Sequence, residues 1–177
     1  STGYQIEENY FNGPATLTTA LNGIIVNNSG TTANIIRRNN FNHLRFGIKA
    51  QGVNGNTSNG LVFKCNTFST NKYDIAVTSG AIFTNQGACA GFDGTKPAGN
   101  QFSDAGFVAS QGQFYLNGGV APIVYYHHTD LPLTNYTTSL ITLDNCGVFF
   151  GITSCPQQVF IIGESGEEVR LANQIQD

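Results

Sequence analysis

An apolar residue, two spacers and then Asn-x-Phe recur along this chain, and the recurrence limits its fold more than any other feature. The phrase reads Ile6-Glu7-Glu8-Asn9-Tyr10-Phe11, then Ile36-Arg37-Arg38-Asn39-Asn40-Phe41, then Phe63-Lys64-Cys65-Asn66-Thr67-Phe68. A degenerate fourth copy, Ala98-Gly99-Asn100-Gln101-Phe102, lacks the large apolar lead. The phenylalanines stand 30, 27 and 34 residues apart. Periods of this size mark stacked units, none of which buries its apolar face alone.

A second short strand follows each middle copy: Phe46-Gly47-Ile48-Lys49-Ala50 and Tyr73-Asp74-Ile75-Ala76-Val77. Phe41 to Gly47 and Phe68 to Asp74 are both steps of six residues. Asn22-Gly23-Ile24-Ile25-Val26 plays this part in the first copy, and Ala105-Gly106-Phe107-Val108-Ala109 in the fourth. Short runs of β-branched and aromatic residues bounded by Gly, Asn and Ser read as strands. Further strands are expected at 120–126, 139–143, 147–153 and 158–162. Only residues 164–177 mix charge with Leu and Ile in a helix-compatible way, and they serve equally as a linker. The recurring Asn is expected to bond the backbone of a corner and its equivalents in neighbouring units, with the recurring Phe stacked inside.

Composition supports a folded extracellular repeat protein. Charged residues are 11% of the chain, while Gly (21) and Asn (20) take the place usually held by Lys and Glu. With 13 Phe and a net charge of −3, disorder is excluded by the usual balance of hydrophobicity and charge. No apolar run reaches the roughly 18 residues of a membrane-spanning helix. The 177 residues contain no Met, so Ser1 reads as the start of a processed product or of a piece of something longer. Of the four cysteines, Cys65 alternates with Phe63 and is expected to point inward as a small hydrophobe. Cys146–Cys155 closes a short loop and is the preferred bridge, with Cys89 to either of them as the alternative. A zinc site is the competing reading, although no C-x2-C pair accompanies His127 and His128.

Candidate chemistry is sparse. No Asp or Glu occurs from residue 9 through residue 73, so the best repeats lack the paired carboxylates of a glycosidase. Asp93, Asp104, Asp130 and Asp144 remain, in loops or final strands. His127, His128 and Asp130 form a suggestive cluster, but neighbouring side chains on a strand point to opposite faces. Six of the eight basic residues, Arg37, Arg38, Arg45, Lys49, Lys64 and Lys72, fall between residues 37 and 72. Aligned repeats set Arg37 beside Lys64 and Arg38 beside Cys65, giving a positive strip that suits acidic polysaccharide, a phosphate-rich surface or nucleic acid, the last disfavoured by the chain's net negative charge. These six are the candidate ligand-binding residues. No catalytic residue, metal ligand or cofactor is assigned.

The Asn-x-Phe and Gly-Ile units resemble the parallel β-helix repeats of the pectate-lyase-like superfamily, over roughly residues 1–110. Over roughly 81–156, Pro97-Ala98-Gly99-Asn100-Gln101-Phe102-Ser103, Val124-Tyr125-Tyr126-His127-His128 and Leu143-Asp144-Asn145-Cys146 are similar to secreted β-helix proteins of Bacteroidetes, which often carry a type IX secretion sorting domain. The resemblance implies an all-β, right-handed parallel β-helix of about six rungs with an irregular C-terminal cap. Repeats would fill 1–110 with a loop excursion at 85–97, terminal rungs and cap 111–163, and a tail or linker 164–177. It also implies a secreted or cell-surface location and further domains upstream or downstream in a longer polypeptide. Lyases of that superfamily gather acids for calcium, which the acid-free repeats lack. The expected function is therefore a non-catalytic structural or adhesive surface module. The alternatives are a carbohydrate-binding module, with polysaccharide or cell-surface glycan as partner, and part of a polysaccharide lyase or glycoside hydrolase. Neither nucleic acid nor membrane embedding is expected.

Overall fold

The computed structural model describes residues 3–15, 21–89, 97–103, 112–129, 133–147, 155, 160–162 and 168–170. Among them the protein is all-β, without a helix, and its large sheets are parallel. The chain visits three sheets in rotation. The first circuit is β1 (Gln5–Glu7), β2 (Tyr10–Asn12) and β3 (Asn22–Asn27). The second is β4 (Asn34–Arg37), β5 (Asn40–Asn42) and β6 (Phe46–Gln51). The third is β7 (Leu61–Lys64), β8 (Thr67–Ser69) and β9 (Tyr73–Val77). Then come β10 (Asn85–Gln86), β11 (Gly112–Leu116), β12 (Ile123–His127) and β13 (Ile141–Asn145). The sheets run β1-β4-β7, β2-β5-β8 and β3-β6-β9-β11, with a fourth, β10-β12-β13.

Register follows the sequence phrase. Ile6 lies beside Ile36 and Ile36 beside Phe63, while Phe11, Phe41 and Phe68 align on the second sheet. Ile36 and Phe63 are fully buried, whereas their neighbours Arg37 and Lys64 face outward, as strand alternation requires. The rings of Phe11, Phe41, Phe68 and Phe102 stack near-parallel, with centroids 5.0, 5.1 and 5.7 Å apart. Gly47 leaves room for this stack, since a Cβ there would lie 2.9 Å from the Phe68 ring.

Between the first and second sheets the chain turns at one residue in the left-handed region: Glu8 (φ 62°), Arg38 (55°), Cys65 (59°) and Gly99 (64°). Non-glycine residues give up about 1–2 kcal/mol there. The Asn that follows each one offsets this cost with hydrogen bonds. The backbone N–H of Asn39 and its Nδ2 donate to Asn66 Oδ1 at 3.1 and 3.2 Å. Asn66 repeats this to Asn100 Oδ1 at 2.9 and 3.1 Å, and Asn9 to Asn39 at 3.0 Å for both. The second Nδ2 hydrogen goes backward, from Asn66 to Ile36 O (2.9 Å) and from Asn100 to Phe63 O (3.0 Å). The ladder ends at Tyr125, whose buried hydroxyl accepts from Asn100 Nδ2 at 3.3 Å.

The cysteines pair as Cys65–Cys155 and Cys89–Cys146, with Cα atoms 5.4 and 5.1 Å apart. The expected Cys146–Cys155 bridge does not form, and Cys65 is not an inward-pointing thiol. Cys65 follows β7 at the left-handed corner, where strand alternation with Phe63 has ended, and it is half-buried. Cys89 and Cys146 both follow strands of the fourth sheet and so leave it at the same end. Residues 168–170, within the helix-compatible tail, instead form β15 (Glu168–Arg170), antiparallel to β14 (Phe160–Ile162). The expected strand at 105–109 and all but Gly147 of the one at 147–153 lie outside the described residues.

Candidate functional site

The described carboxylates do not assemble into a catalytic pair. Glu7 accepts from Arg37 Nε at 2.7 Å and Glu8 from Arg38 Nη1 at 3.3 Å. Asp144 is exposed on β13 beside Tyr126 of β12. Asp93, Asp104 and Asp130 lie outside the described residues. His127 is buried with Nδ1 2.8 Å from the His128 carbonyl oxygen, and His128 is half-buried on the next position. Among the described residues no three His, Cys, Asp or Glu side chains gather as a metal site.

Among the described residues Asp74 is the one buried acid. It takes the place of Gly47 in the next strand, bracketed by the pairs Phe46 with Tyr73 and Ile48 with Ile75. Ser103 donates to it twice, from Oγ to Oδ1 and from N–H to Oδ2, each at 2.7 Å. Asn71 Nδ2 adds a 3.1 Å bond to Oδ1. Burial pushes the Asp74 carboxyl up to about 6, against the opposing pull of the Ser103 and Asn71 hydrogen bonds. The network continues through Gln113, which donates to Ser103 O at 3.0 Å and accepts from the Thr134 and Asn135 amides at 2.8 and 3.1 Å. Its role is structural: it pins the third circuit to the segments that cover it. Sequence reading passed over it, although setting Gly47 beside Asp74 marks a carboxylate at an inward position.

The six candidate cations separate into two sets. Arg37 and Lys64 do stand in register on the outer face of the first sheet, but Glu7 tops that line and neutralises Arg37. Arg38 is likewise matched by Glu8. Aligning the first repeat with the second reveals both pairs, which comparison of the second with the third alone does not. Arg45 and Lys49 sit instead at the Phe46 end of a row of rings on β6, β9 and β11, and Lys72 immediately precedes β9. Phe46 and Tyr73 stack at 5.0 Å, and Tyr115 follows at 5.3 Å with a 46° tilt. The Arg45 guanidinium carbon and Lys49 Nζ sit 5.3 and 5.8 Å from the centre of the Phe46 ring, within cation–π range. Lys72 precedes Tyr73 as Arg45 precedes Phe46. Among the described residues none of these three cations forms an ion pair. The Tyr73 hydroxyl is pushed up by burial and by Tyr115, with Arg45 pulling the other way.

The tyrosines do not share one exposed face. Tyr73 and Tyr115 belong to this row, Tyr10 is exposed on the second sheet, and Tyr125 is buried. Because Phe46 and Tyr73 stack on each other, they turn ring edges rather than faces outward. That geometry gives no flat ring face for a sugar to stack on. Compared with known proteins, the chain matches no family model, no curated protein and no solved structure.

Proposed function

We propose that this chain is a non-catalytic, right-handed parallel β-helix module of about six rungs, of the secreted type it resembles, serving as a stiff structural or adhesive element at a cell surface. The observation that carries this reading is the unbroken ladder Asn9-Asn39-Asn66-Asn100, which ties successive circuits together while Glu7 and Glu8 are paired, Asp74 is sealed in the core and Asp144 stands exposed on its own. Two disulfides fit an oxidising compartment. No helix among the described residues is long and apolar enough to cross a membrane.

A second reading has its own observation. Arg45 and Lys49, free of ion pairs among the described residues, flank the ring row, and together with Lys72 ahead of β9 they suit a linear acidic glycan. One experiment separates the readings: incubate the purified chain with neutral and acidic polysaccharides and assay bound protein and released products together. The module reading expects no products. Product release abolished by Asp130→Asn or Asp144→Asn overturns it. Binding to acidic glycans that weakens with salt and with Lys49→Ala, without products, establishes the second reading.

A further inference from the structure

The pair Asn-Gly occurs five times, beginning at Asn12, Asn22, Asn54, Asn59 and Asn117. In such a pair the glycine amide nitrogen can attack the asparagine side-chain amide, because no Cβ on the second residue hinders the approach. The fold restrains four of the five. Asn12 and Asn22 lie in β2 and β3, and Gly13 N–H is committed to Asn42 O at 2.9 Å. Asn54 is fully buried, with Nδ2 donating to Gln51 O and Gly52 O at 2.9 and 3.2 Å and Oδ1 accepting from Ser29 N–H at 2.9 Å. Asn59 is exposed, but Gly60 is buried and so crowded that a Cβ there would lie 2.3 Å from Gly55 Cα. Asn117 differs. It is exposed together with Gly118 and Gly119, in a turn closed by Val120 N–H to Asn117 O at 3.1 Å with Gly119 at φ 86°. A Cβ on Gly118 would meet nothing within 4 Å.

The groups around the Asn117 amide match the steps of that attack. Gly118 N–H donates to Asn117 Oδ1 at 3.0 Å, which holds the nitrogen beside the amide it would attack. The Tyr115 hydroxyl donates to the same oxygen at 3.3 Å, and Asn117 Nδ2 donates to Thr78 O at 3.2 Å. We infer that Asn117–Gly118 is a self-modification site, where the chain rearranges through a cyclic imide to isoaspartate and aspartate with water as the co-reactant. Water removes the Gly118 amide proton, and the nitrogen bonds to Asn117 Cγ. Negative charge builds on Oδ1, where the Tyr115 hydroxyl is already placed as a donor. The Cγ–Nδ2 bond then breaks, and the nitrogen takes a proton from water and leaves as ammonia. A second water opens the imide. Opening at Cγ gives aspartate, and opening at the Asn117 main-chain carbonyl gives isoaspartate, with Cβ and Cγ inserted into the main chain. Either product sets a carboxylate oxygen against Thr78 O in place of the Nδ2 donor. The longer main chain also shifts the turn that follows Asn117 N–H to Val77 O (2.9 Å), so the end of β11 loosens from β9.

The inference is independent of the adhesive and glycan readings. The test incubates the full chain at neutral pH, folded and in urea, and follows the mass gain of deamidation and the isoaspartate content of each Asn-Gly peptide over time. In urea all five pairs are expected to convert, since no fold restrains them. In the folded chain the Asn117 peptide should convert about tenfold or more faster than the other four, which open only through local unfolding. Tyr115→Phe keeps the ring and removes the donor. It should slow folded-state conversion about tenfold and leave the rate in urea unchanged, a smaller effect than the roughly hundredfold loss of a donor in a closed site. Gly118→Ala should nearly abolish conversion in both states. Conversion at Asn59 or another pair as fast as at Asn117 in the folded chain overturns the inference. So does a Tyr115→Phe chain that converts as fast as the parent or faster, since the hydroxyl would then restrain the amide rather than assist its loss.

Discussion

Asn66→Ala is the sharpest test of the polar ladder. Asn66 is fully buried, with both amide hydrogens and the carbonyl oxygen engaged. Truncation strands the Asn39 backbone N–H, whose acceptor is Asn66 Oδ1, and removes a donor from the Ile36 carbonyl. The Asn39 side chain keeps its bonds to Ile6 O and Arg37 O, so it is not a third orphan. Each stranded buried group costs about 1–3 kcal/mol, so the variant should lose about 3 kcal/mol, with about 2–6 as the range for two groups. At a urea slope of about 2 kcal/mol/M, the unfolding midpoint falls by about 1.5 M with an unchanged slope. Asn40→Ala is the control. It is exposed one residue away on β5 and should stay within about 0.5 kcal/mol of the parent. Native-state exchange should show the Asn39 amide accelerated in the Asn66 variant. A midpoint shift no larger than that of Asn40→Ala would refute the claim that the ladder stabilises the stack.

Three further outcomes follow from the geometry. Replacing both cysteines of Cys65–Cys155 or of Cys89–Cys146 by Ala opens closures of 90 and 57 residues. Each should cost about 4–5 kcal/mol in the chain-entropy account, and because the dependence is logarithmic the two losses should agree within about 0.5 kcal/mol in urea melts. Asp74, raised to about 6 when folded from 3.8, holds its proton in the folded state while the unfolded chain releases it. Stability should therefore be highest below pH about 4 for this group and fall by up to about 3 kcal/mol as pH rises towards 6, and pH-dependent melts of Asp74→Asn should lack that fall. Thr70 is β-branched at φ 56°, so Thr70→Gly should gain about 0.5–1 kcal/mol and raise Tm by a few degrees, whereas a lower Tm would show that the corner is not strained.

Much of the fold is legible because the repeat carries it locally. The apolar lead, the Asn and the Phe each name one position on a circuit, so their spacing alone sets Ile36 beside Phe63 and Phe41 beside Phe68. The left-handed corner is also written there, once the fourth copy is seen to place Gly99 where Glu8, Arg38 and Cys65 stand. The disulfides are not legible in this way. Cys65 and Cys155 meet across 90 residues, and their approach depends on where the later segments lie against the circuits. The positive strip was half legible. Its cations stand out in the sequence, but which of them keep their charge unmatched depends on Glu7 and Glu8 in the first circuit and on the side of the sheet each faces. The Phe46, Tyr73 and Tyr115 row needed the third dimension, because its Tyr115 member comes from β11, outside the repeat phrase.

A stack held only by Ile, Phe and Gly would tolerate sliding, since rings and methyl groups attract without direction. The ladder removes that freedom. A donor from one circuit must meet a carbonyl oxygen in the next within about 3 Å, and a shift of one residue flips every side chain to the other face. The ladder also has a polarity. Asn9 leans on Asn39, Asn39 on Asn66, Asn66 on Asn100, and Asn100 on Tyr125. Loss of the Tyr125 hydroxyl therefore strands a donor deep in the covered end, whereas loss of Asn9 strands nothing above it. Every Asn-to-Asn donor in the ladder therefore points from Asn9 towards the buried Tyr125 hydroxyl.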